Sequence, residues 1–176
     1  MEEKTTSSSY PFSGKVVTVR VDEVLLPDGK QAKREIVEHS GAVAIVPVNE
    51  NMEVLCIRQY RKAAEKVLLE IPAGIIEPGE KIEDCAQREL AEETGFASNN
   101  LLNLTSFYPS PGFSSEIIHV FLGRDLYKKE VEKPEDEFIQ LENIPLQSAL
   151  GKIKNGEIED GKTVVGLLLA LKYLGL

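Results

Sequence analysis

Carboxylates are crowded between residues 74 and 96, in a run whose second half has the pattern of a helix. The run is GIIEPGEKIEDCAQRELAEETGF, and Glu89, Glu92 and Glu93 fall within an arc of about 100° around that helix. Like charges three or four residues apart on a helix repel one another. A hard divalent cation would remove this repulsion, because Mg²⁺ and related ions prefer carboxylate oxygens. The spacing indicates a metal site, and the alternative is a solvated acidic helix face.

The surroundings of this run favour the metal site over the solvated face. A Gly/Pro-rich loop, PAGIIEPGE, precedes the helix and could add backbone carbonyls and the carboxylate of Glu80. The run also lies in the middle of the chain rather than in a tail. Ile82, Ala86 and Leu90 repeat at helical spacing, so we expect them to form the buried face of the helix. Gly95 is a suitable residue to end it.

The rest of the chain shows many strands and two further helices. The pattern predicts strands at 15–26, 31–38, 41–48, 53–61, 66–74, about 101–108, 116–122 and FIQLENIP, and helices at 82–94, LQSALGKIKNG and KTVVGLLLALKYLG. Residues 1–12 are polar and are predicted to be flexible. Residues 127–138 are predicted to be a charged loop. This order of elements is typical of an α+β fold or a mixed-sheet sandwich.

Composition limits the partners of the protein. The chain has 176 residues, which favours one domain with at most a small extension, and a net charge of −9, which would repel a nucleic-acid backbone. Two cysteines without metal-ligand spacing fit a reducing cytosol. The N-terminus lacks the order of a signal peptide, and the apolar C-terminal run is too short to span a bilayer. We expect a cytoplasmic protein with neither a nucleic-acid nor a membrane partner.

The spacing of the acidic run matches a known motif. Gly74, Glu80, Arg88, Glu89, Leu90, Glu92, Glu93, Gly95 and Phe96 occupy every defining position of the Nudix box, which this run therefore resembles. The resemblance implies a Nudix-type α/β/α sandwich with a mixed β-sheet, preceded by an N-terminal antiparallel β hairpin or sheet. Residues 1–40 would form that N-terminal region and residues 41–176 the Nudix hydrolase domain. The resemblance also implies hydrolysis of a nucleoside diphosphate linked to another moiety, with Mg²⁺ or Mn²⁺ as cofactor.

The resemblance assigns roles to the box residues. The implied metal ligands are Glu89, Glu93 and the carbonyl oxygen of Ala73. Glu92 would assist them, Arg88 would orient the glutamates through salt bridges, and Glu80 would support the loop and helix.

The acidic segment EKPEDEF matches the family segment that holds the catalytic base. Glu135 matches the base, and Glu137 matches a further metal-associated glutamate. The alternative is a solvated charged loop.

A second motif indicates the substrate. The segment SPGFSSE places Pro111 sixteen residues after Gly95, which resembles the ADP-ribose pyrophosphatase branch of the family. The alternative is a turn between two strands. The branch implies a homodimer that pairs through the N-terminal strands, and hydrolysis of ADP-ribose to AMP and ribose 5-phosphate. The implied substrate contacts are Arg34, Glu35, Arg61, Ile75, Ser110, Pro111, Gly112 and Glu116.

Some assignments have explicit alternatives. Arg34 and Arg61 could each form a surface ion pair instead of a substrate contact. Lys15 and Val16 occupy the positions of the family's adenine partner, which leaves Tyr10, Phe12 or Tyr60 for that contact.

Another Nudix pyrophosphatase, acting on nucleotide sugars, NADH or dinucleoside polyphosphates, is the nearest rival function. A non-catalytic module that senses ADP-ribose is the rival from another class, although such modules commonly lose box glutamates that are all present here.

Overall fold

The computed structural model describes residues 1–131 and 138–176. Contacts between residues divide the chain into two compact units. The first consists of Met1–Gly41 and Tyr108–Ile117, and the second of Ala42–Phe107 and Ile118–Leu176.

The first unit contains a three-stranded antiparallel sheet. Its strands, in spatial order, are β1 (Lys4–Ser13), β2 (Thr18–Leu25) and β3 (Gln31–Glu38). The turn between β2 and β3 contains Gly29 at φ 82°, in the left-handed region that glycine adopts without strain. The hairpin predicted from the sequence is therefore confirmed.

The N-terminal residues differ from the prediction of a flexible segment, which is wrong. Lys4–Ser13 pairs with β2 along its length, and every residue in the strand is exposed. Backbone pairing and polar contacts hold it, including a hydrogen bond of 2.7 Å from Ser8 Oγ to Asp22 Oδ1. A strand exposed on both faces has no alternating apolar pattern, so periodicity could not reveal it.

The second unit contains two sheets and three α-helices among its described residues. The larger sheet has the order β7 (Ala73–Ile75), β4 (Ala42–Pro47), β9 (Ile118–Lys128) and β8 (Phe96–Phe107). The smaller has the order β10 (Ile139–Pro145), β5 (Glu53–Arg61) and β6 (Lys66–Glu70). The helices are α1 (Ile82–Thr94), α2 (Ala149–Lys154), which follows a 3-10 turn at Leu146–Ser148, and α3 (Gly161–Leu174). Strands β4 and β9 are parallel and the other pairs antiparallel, so the larger sheet is mixed, as predicted.

Helices cover both faces of the larger sheet. Strand β4 is buried throughout, and successive side chains of a strand point to opposite faces. Val43 and Ile45 belong to an apolar cluster with α1, whereas Ala44 and Val46 belong to the larger core that includes α3. This arrangement confirms the predicted α/β/α sandwich.

Helix α3 packs very closely on the sheet at a glycine. A Cβ atom on Gly166 would lie 2.8 Å from Ile71 Cδ1 and 2.9 Å from Val46 Cγ2. A larger residue would have to displace these side chains or the helix. No helix of the described chain is long and apolar enough to cross a membrane.

The predicted strand 66–74 is divided in two. It ends at Glu70, and the chain enters the other sheet at Ala73. Pro72 lies at the break because it has no N–H to donate to a ladder, while its carbonyl accepts a hydrogen bond of 2.8 Å from Ile45 N. The break places the segment before the box between the two sheets.

Strands β8 and β9 are longer than predicted. Strand β8 begins at Phe96, directly after α1, although its SNN segment has the composition of a turn. Ser98 Oγ lies 2.9 Å from Asn100 O and 2.6 Å from Arg124 O, so its single proton has an acceptor within the sheet. Strand β9 extends to Lys128, within the predicted charged loop.

Candidate active site

Helix α1 is fixed by its apolar face. Cys85, Ala86 and Leu90 are fully buried and pack in the same cluster as β4 residues Val43 and Ile45. The helix spans the predicted residues and ends at Gly95, whose φ of 77° is left-handed. Burial of this face fixes the direction in which the glutamates of the helix project.

The carboxylate of Glu89 occupies the space that a side chain at Gly74 would fill. A Cβ atom on Gly74 would lie 1.9 Å from the carboxyl carbon of Glu89 and about as close to both of its oxygens. The carboxylate therefore packs against the backbone of β7. Glycine at this position allows the close approach, and a larger residue would displace the Glu89 carboxylate from the backbone.

Glu93 contacts the adjacent residue of the same strand. Its Oε2 atom accepts a hydrogen bond of 2.9 Å from Ala73 N, and the residue is only 4% exposed. The carboxylates of Glu89 and Glu93 thus both lie against the Ala73–Gly74 dipeptide. The structure brings together three positions that the sequence assigned to one metal site.

Arg88 forms ion pairs with three carboxylates of the box. Its Nε and Nη2 atoms donate to the two oxygens of Glu80 at 2.8 and 2.9 Å. Its Nη1 atom donates to Glu89 at 2.6 Å and to Glu92 at 3.1 Å. The hydrogen bond from Arg88 lowers the pKa of Glu80 to about 2, and the same bond raises the pKa of Arg88. Nη2 also donates to the carbonyl oxygen of Ile75 at 3.2 Å, which ties the helix to the end of β7.

These oxygen atoms suit a hard divalent cation. Among the described residues, no three His, Cys, Asp or Glu side chains stand at the spacing of a metal site, and Glu89 and Glu92 are hydrogen-bonded to Arg88. The set nevertheless consists of oxygen donors alone, which Mg²⁺ prefers. Gly74 leaves room for one carboxylate, and Ala73 N orients the other. The donor set fits a divalent cation at the Ala73–Gly74 backbone.

Arg61, a predicted substrate contact, is held by a buried carboxylate. Its Nε and Nη2 atoms each donate a hydrogen bond of 2.8 Å to Glu70, whose side chain is 1% exposed. Lys162 of α3 forms a second ion pair with Glu70. The hydrogen bond to Glu70 is the main cause that raises the pKa of Arg61, and the charge of Glu93 adds to it.

Four predicted substrate residues line one cavity of the first unit. Arg34 and Glu35 of β3, with Pro111 and Gly112, line a cavity of about 640 Å³. Arg34 donates to Glu3 from Nε at 2.8 Å and from Nη2 at 2.5 Å. These hydrogen bonds lower the pKa of Glu3 and raise that of Arg34.

The 108–117 segment is attached to β3 by its backbone. Val37 N donates to Phe113 O at 2.7 Å, and Ser115 N donates to Val37 O at 3.0 Å. Ser110 O accepts hydrogen bonds from the N–H groups of the turn, including Ser114 N at 3.0 Å. Glu116 lies 3.9 Å from His39 Nε2, measured to Oε1.

Comparison with known proteins identifies the family. Residues 38–165 match the NUDIX domain, and residues 3–37 match the nucleoside diphosphate sugar hydrolase N-terminal domain. The chain belongs to the Nudix family. Nudix hydrolases are generally dependent on a divalent metal.

The similarity to known proteins extends over nearly the whole chain. The chain is 44% identical over 178 residues to the ADP-ribose pyrophosphatase of Bacillus subtilis (strain 168), an alignment that covers 100% of this chain and 94% of that protein. It is 46% identical over 177 residues to the methanol dehydrogenase activator of Bacillus methanolicus, covering 99% and 94%. A crystal structure of an ADP compounds hydrolase superposes with a TM-score of 0.90 at 25% identity, covering 99% of this chain and 95% of that one. The predicted family and Nudix fold are confirmed.

Two predicted residues lie outside the described part of this Nudix chain. They are Glu135, assigned as the base, and Glu137, assigned to the metal. Their roles stay predictions.

Ile75, a predicted substrate contact, is 43% exposed at the end of β7, and its carbonyl oxygen contacts Arg88.

Sequence reasoning missed the partners of Arg61. Glu70 stands inside the apolar run KVLLEIP, and a charged residue in such a run is rarely buried without a partner. Lys162 follows Asp160, whose side chain caps α3 by accepting from Thr163 N at 3.0 Å. The glutamate within the apolar run was the available signal, but its partners come from two distant elements.

Proposed function

We propose that this Nudix hydrolase cleaves the diphosphate of ADP-ribose to give AMP and ribose 5-phosphate, with Mg²⁺ or Mn²⁺ as cofactor. The observation that carries the proposal is the complete box, in which Glu89 and Glu93 meet at the Ala73–Gly74 backbone. The likeness over the full chain to a protein named ADP-ribose pyrophosphatase supports this substrate.

The box residues would hold the cation and orient its ligands. Glu89, Glu93 and the Ala73 carbonyl supply the donors, with Glu137 as a further ligand. The bound cation would neutralise the diphosphate and lower the pKa of an attacking water. Arg88 fixes Glu89 and Glu92, whose carboxylates would otherwise repel each other.

Proton transfer is assigned to the acidic segment. Glu135 accepts the proton of the attacking water in this proposal, because it matches the family's base and a carboxylate can serve as a general base. Neutralising Glu135 as Glu135→Gln should reduce kcat at every pH from 6 to 9. An undiminished rate across this range would transfer the role to Glu137 or Glu132.

The substrate contacts that the sequence predicts belong to this proposal. The proposed contacts are Arg34, Glu35, Arg61, Ile75, Ser110, Pro111, Gly112 and Glu116. Arginine suits the diphosphate, because its planar fork binds phosphate oxygens in pairs. Residues 1–40 would also pair two chains in a cytoplasmic homodimer, which sedimentation can test directly.

The decisive experiment neutralises one box carboxylate. Glu93→Gln keeps the size of the side chain but removes a charged donor, so we expect turnover of ADP-ribose with Mg²⁺ to fall at least about 100-fold. Glu83→Gln is the matched control, since Glu83 is an exposed carboxylate in the first turn of the same helix. Wild-type turnover by folded Glu93→Gln protein would refute the metal assignment.

The substrate assignment needs a separate test. Purified protein should be assayed with ADP-ribose, GDP-mannose, NADH and diadenosine polyphosphates by product chromatography. We expect the highest kcat/KM for ADP-ribose. A nucleotide sugar or dinucleotide that exceeds it would establish the rival Nudix activity instead.

A second candidate is activation of an alcohol dehydrogenase. The observation that favours it is the 46% identity to a protein named methanol dehydrogenase activator. Addition of wild-type protein to a purified methanol dehydrogenase should then raise its rate, and Glu93→Gln shows whether the effect needs an intact box. An unchanged dehydrogenase rate would reject this candidate and leave the hydrolase proposal untouched.

A further inference from the structure

The first turn of α3 contacts the segment that leads into the Nudix box through an ion pair and a hydrogen bond. Lys162 forms an ion pair with Glu70, and Thr163 Oγ1 accepts a hydrogen bond of 2.9 Å from Ile71 N. Three residues after Glu70, Ala73 N donates to Glu93. The C-terminal helix is therefore connected to the box through four consecutive residues, 70–73.

Asp160 fixes the side chains of this turn. Its Oδ2 atom accepts from Thr163 N at 3.0 Å and from Thr163 Oγ1 at 2.6 Å, and it lies 3.0 Å from Lys162 Nζ. The side chain of Lys162 is 12% exposed, which is low for a lysine. The ammonium group is thus held between two carboxylates rather than in solvent.

Glu70 remains charged despite its burial. Burial raises its pKa, but hydrogen bonds and charge from Arg61 and Lys162 outweigh this effect and lower the pKa overall. One oxygen accepts from Arg61 Nε, and the other accepts from both Arg61 Nη2 and Lys162 Nζ. This carboxylate cannot rotate without losing a bond to at least one cation.

Arg61 retains donors for a ligand. Glu70 occupies Nε and Nη2, whereas Nη1 makes no hydrogen bond within the described chain, and the side chain is 39% exposed. The charge of Glu93 adds to the rise in the pKa of Arg61. The two bonds to Glu70 fix the orientation of the guanidinium, which leaves Nη1 for a phosphate oxygen.

We propose that Lys162 is a positioning residue, which acts through the buried Glu70 to hold Arg61 in place for the substrate diphosphate. The inference rests on the proposed function, because it needs a diphosphate substrate. Lys162 has two effects on Arg61. It fixes the carboxylate that aligns the guanidinium, and it offsets the charge of Glu70 so that Arg61 is not fully neutralised.

The first test separates binding from turnover. Lys162→Met should raise KM for ADP-ribose about tenfold, the value of one weakened charged hydrogen bond, and leave kcat within about threefold. Lys162→Arg preserves the charge and should restore most of the lost affinity. Lys66→Met is the matched control, because it removes an exposed ion pair between β6 and Glu159 without touching Glu70.

A double-mutant cycle tests whether Lys162 acts through Arg61. If it does, Arg61→Gln and Arg61→Gln/Lys162→Met should have the same KM, because the target of positioning is already lost. Independent, multiplicative effects on KM would overturn the inference. So would a Lys162→Met variant that loses kcat at unchanged KM, since that pattern indicates general structural damage. If Lys162→Met does not fold, Lys162→Gln, which preserves hydrogen bonding, enters the same cycle.

A binding measurement without catalysis completes the experiment. Calorimetric titration of ADP-ribose in EDTA should show a Kd about tenfold weaker for Lys162→Met than for the wild type. If the wild type does not hydrolyse ADP-ribose, the proposed function fails, and the same cycle is run with whichever diphosphate of the substrate panel it hydrolyses. If the wild type hydrolyses its substrate and Lys162→Met matches it in both KM and Kd, the positioning role is wrong.

Discussion

Two charged clusters in the second unit differ in how their charges are matched. The box cluster consists of Glu80, Arg88, Glu89 and Glu92. The α3 cluster consists of Arg61, Glu70, Asp160 and Lys162. In the first, one guanidinium contacts three carboxylates. In the second, two cations contact two carboxylates.

The two clusters differ in their balance of charge. The box cluster has oxygen donors beyond what a single arginine can neutralise, which is the arrangement that a divalent cation would complete. The α3 cluster is neutral as it stands and is centred on a carboxylate that is 1% exposed. A buried pair of this kind is costly to break, because removing one partner leaves an uncompensated charge.

The largest expected effect comes from breaking the α3 cluster. Glu70→Ala leaves Arg61 and Lys162 without their shared carboxylate, so we expect the free energy of unfolding to fall by about 3 kcal/mol. Urea denaturation in EDTA measures this change without any contribution from metal binding. The control is Glu159→Ala, which removes the exposed pair with Lys66. Equal losses in the two variants would show that burial of Glu70 does not matter.

The second prediction concerns the box cluster together with Glu93, which we propose to hold a divalent cation. Mg²⁺ that binds only the folded state should stabilise the wild type by about 2.7 kcal/mol at one hundred times its Kd. Glu93→Gln should lose most of this gain while its stability in EDTA stays close to that of the wild type. Thermal melting with and without Mg²⁺ measures both. A Glu70 variant that still folds should keep the Mg²⁺ response, and loss of that response would mean that the two clusters are not separable.

Much of this architecture follows from patterns that are local in the sequence. Helix α1 was predicted because an apolar row at helical spacing ends at Gly95, and β4 because its run is continuously apolar. The box motif predicted a metal site for the same reason, since its residues lie within one loop and helix, and the metal assignment stays a prediction. In the structure, the carboxylate of Glu89 packs against the glycine that begins the motif, Gly74.

What the sequence did not reveal depends on distant contacts or on missing patterns. Lys162 and Glu70 are 92 positions apart, and no spacing rule connects them. Strand β1 was missed because all of its residues are exposed, and so burial imposes no alternation on it. The break at Pro72 was missed because both halves of the run are apolar, although proline itself was a signal.

The third prediction concerns acid stability of the box cluster. The hydrogen bond from Arg88 lowers the pKa of Glu80 from 4.5 to about 2. A lowered pKa means that the contribution is complete above pH 4.5 and is lost as the pH falls towards 2. Glu80→Gln should therefore be less stable than the wild type by about 1 kcal/mol at pH 6, a value that allows for solvent screening, and the difference should shrink as the pH falls below 4.5. A difference that stays constant down to pH 2 would contradict the assigned ion pair.

The smallest expected effect on stability comes from a third pair, Arg34–Glu3, which resembles Arg61–Glu70 in hydrogen bonding but not in burial. Both partners are substantially exposed, at 43% and 34%. Glu3→Gln should leave the midpoint of urea denaturation unchanged within error, because water solvates the exposed Arg34 once the ion pair is lost. Since Glu3 occupies the N–H groups that we propose for the substrate, the same change should lower KM for ADP-ribose at low salt and not at high salt. A rise in KM would instead indicate that Glu3 orients Arg34 for the substrate, as we propose that Glu70 orients Arg61. The two pairs would then have the same role despite their different burial.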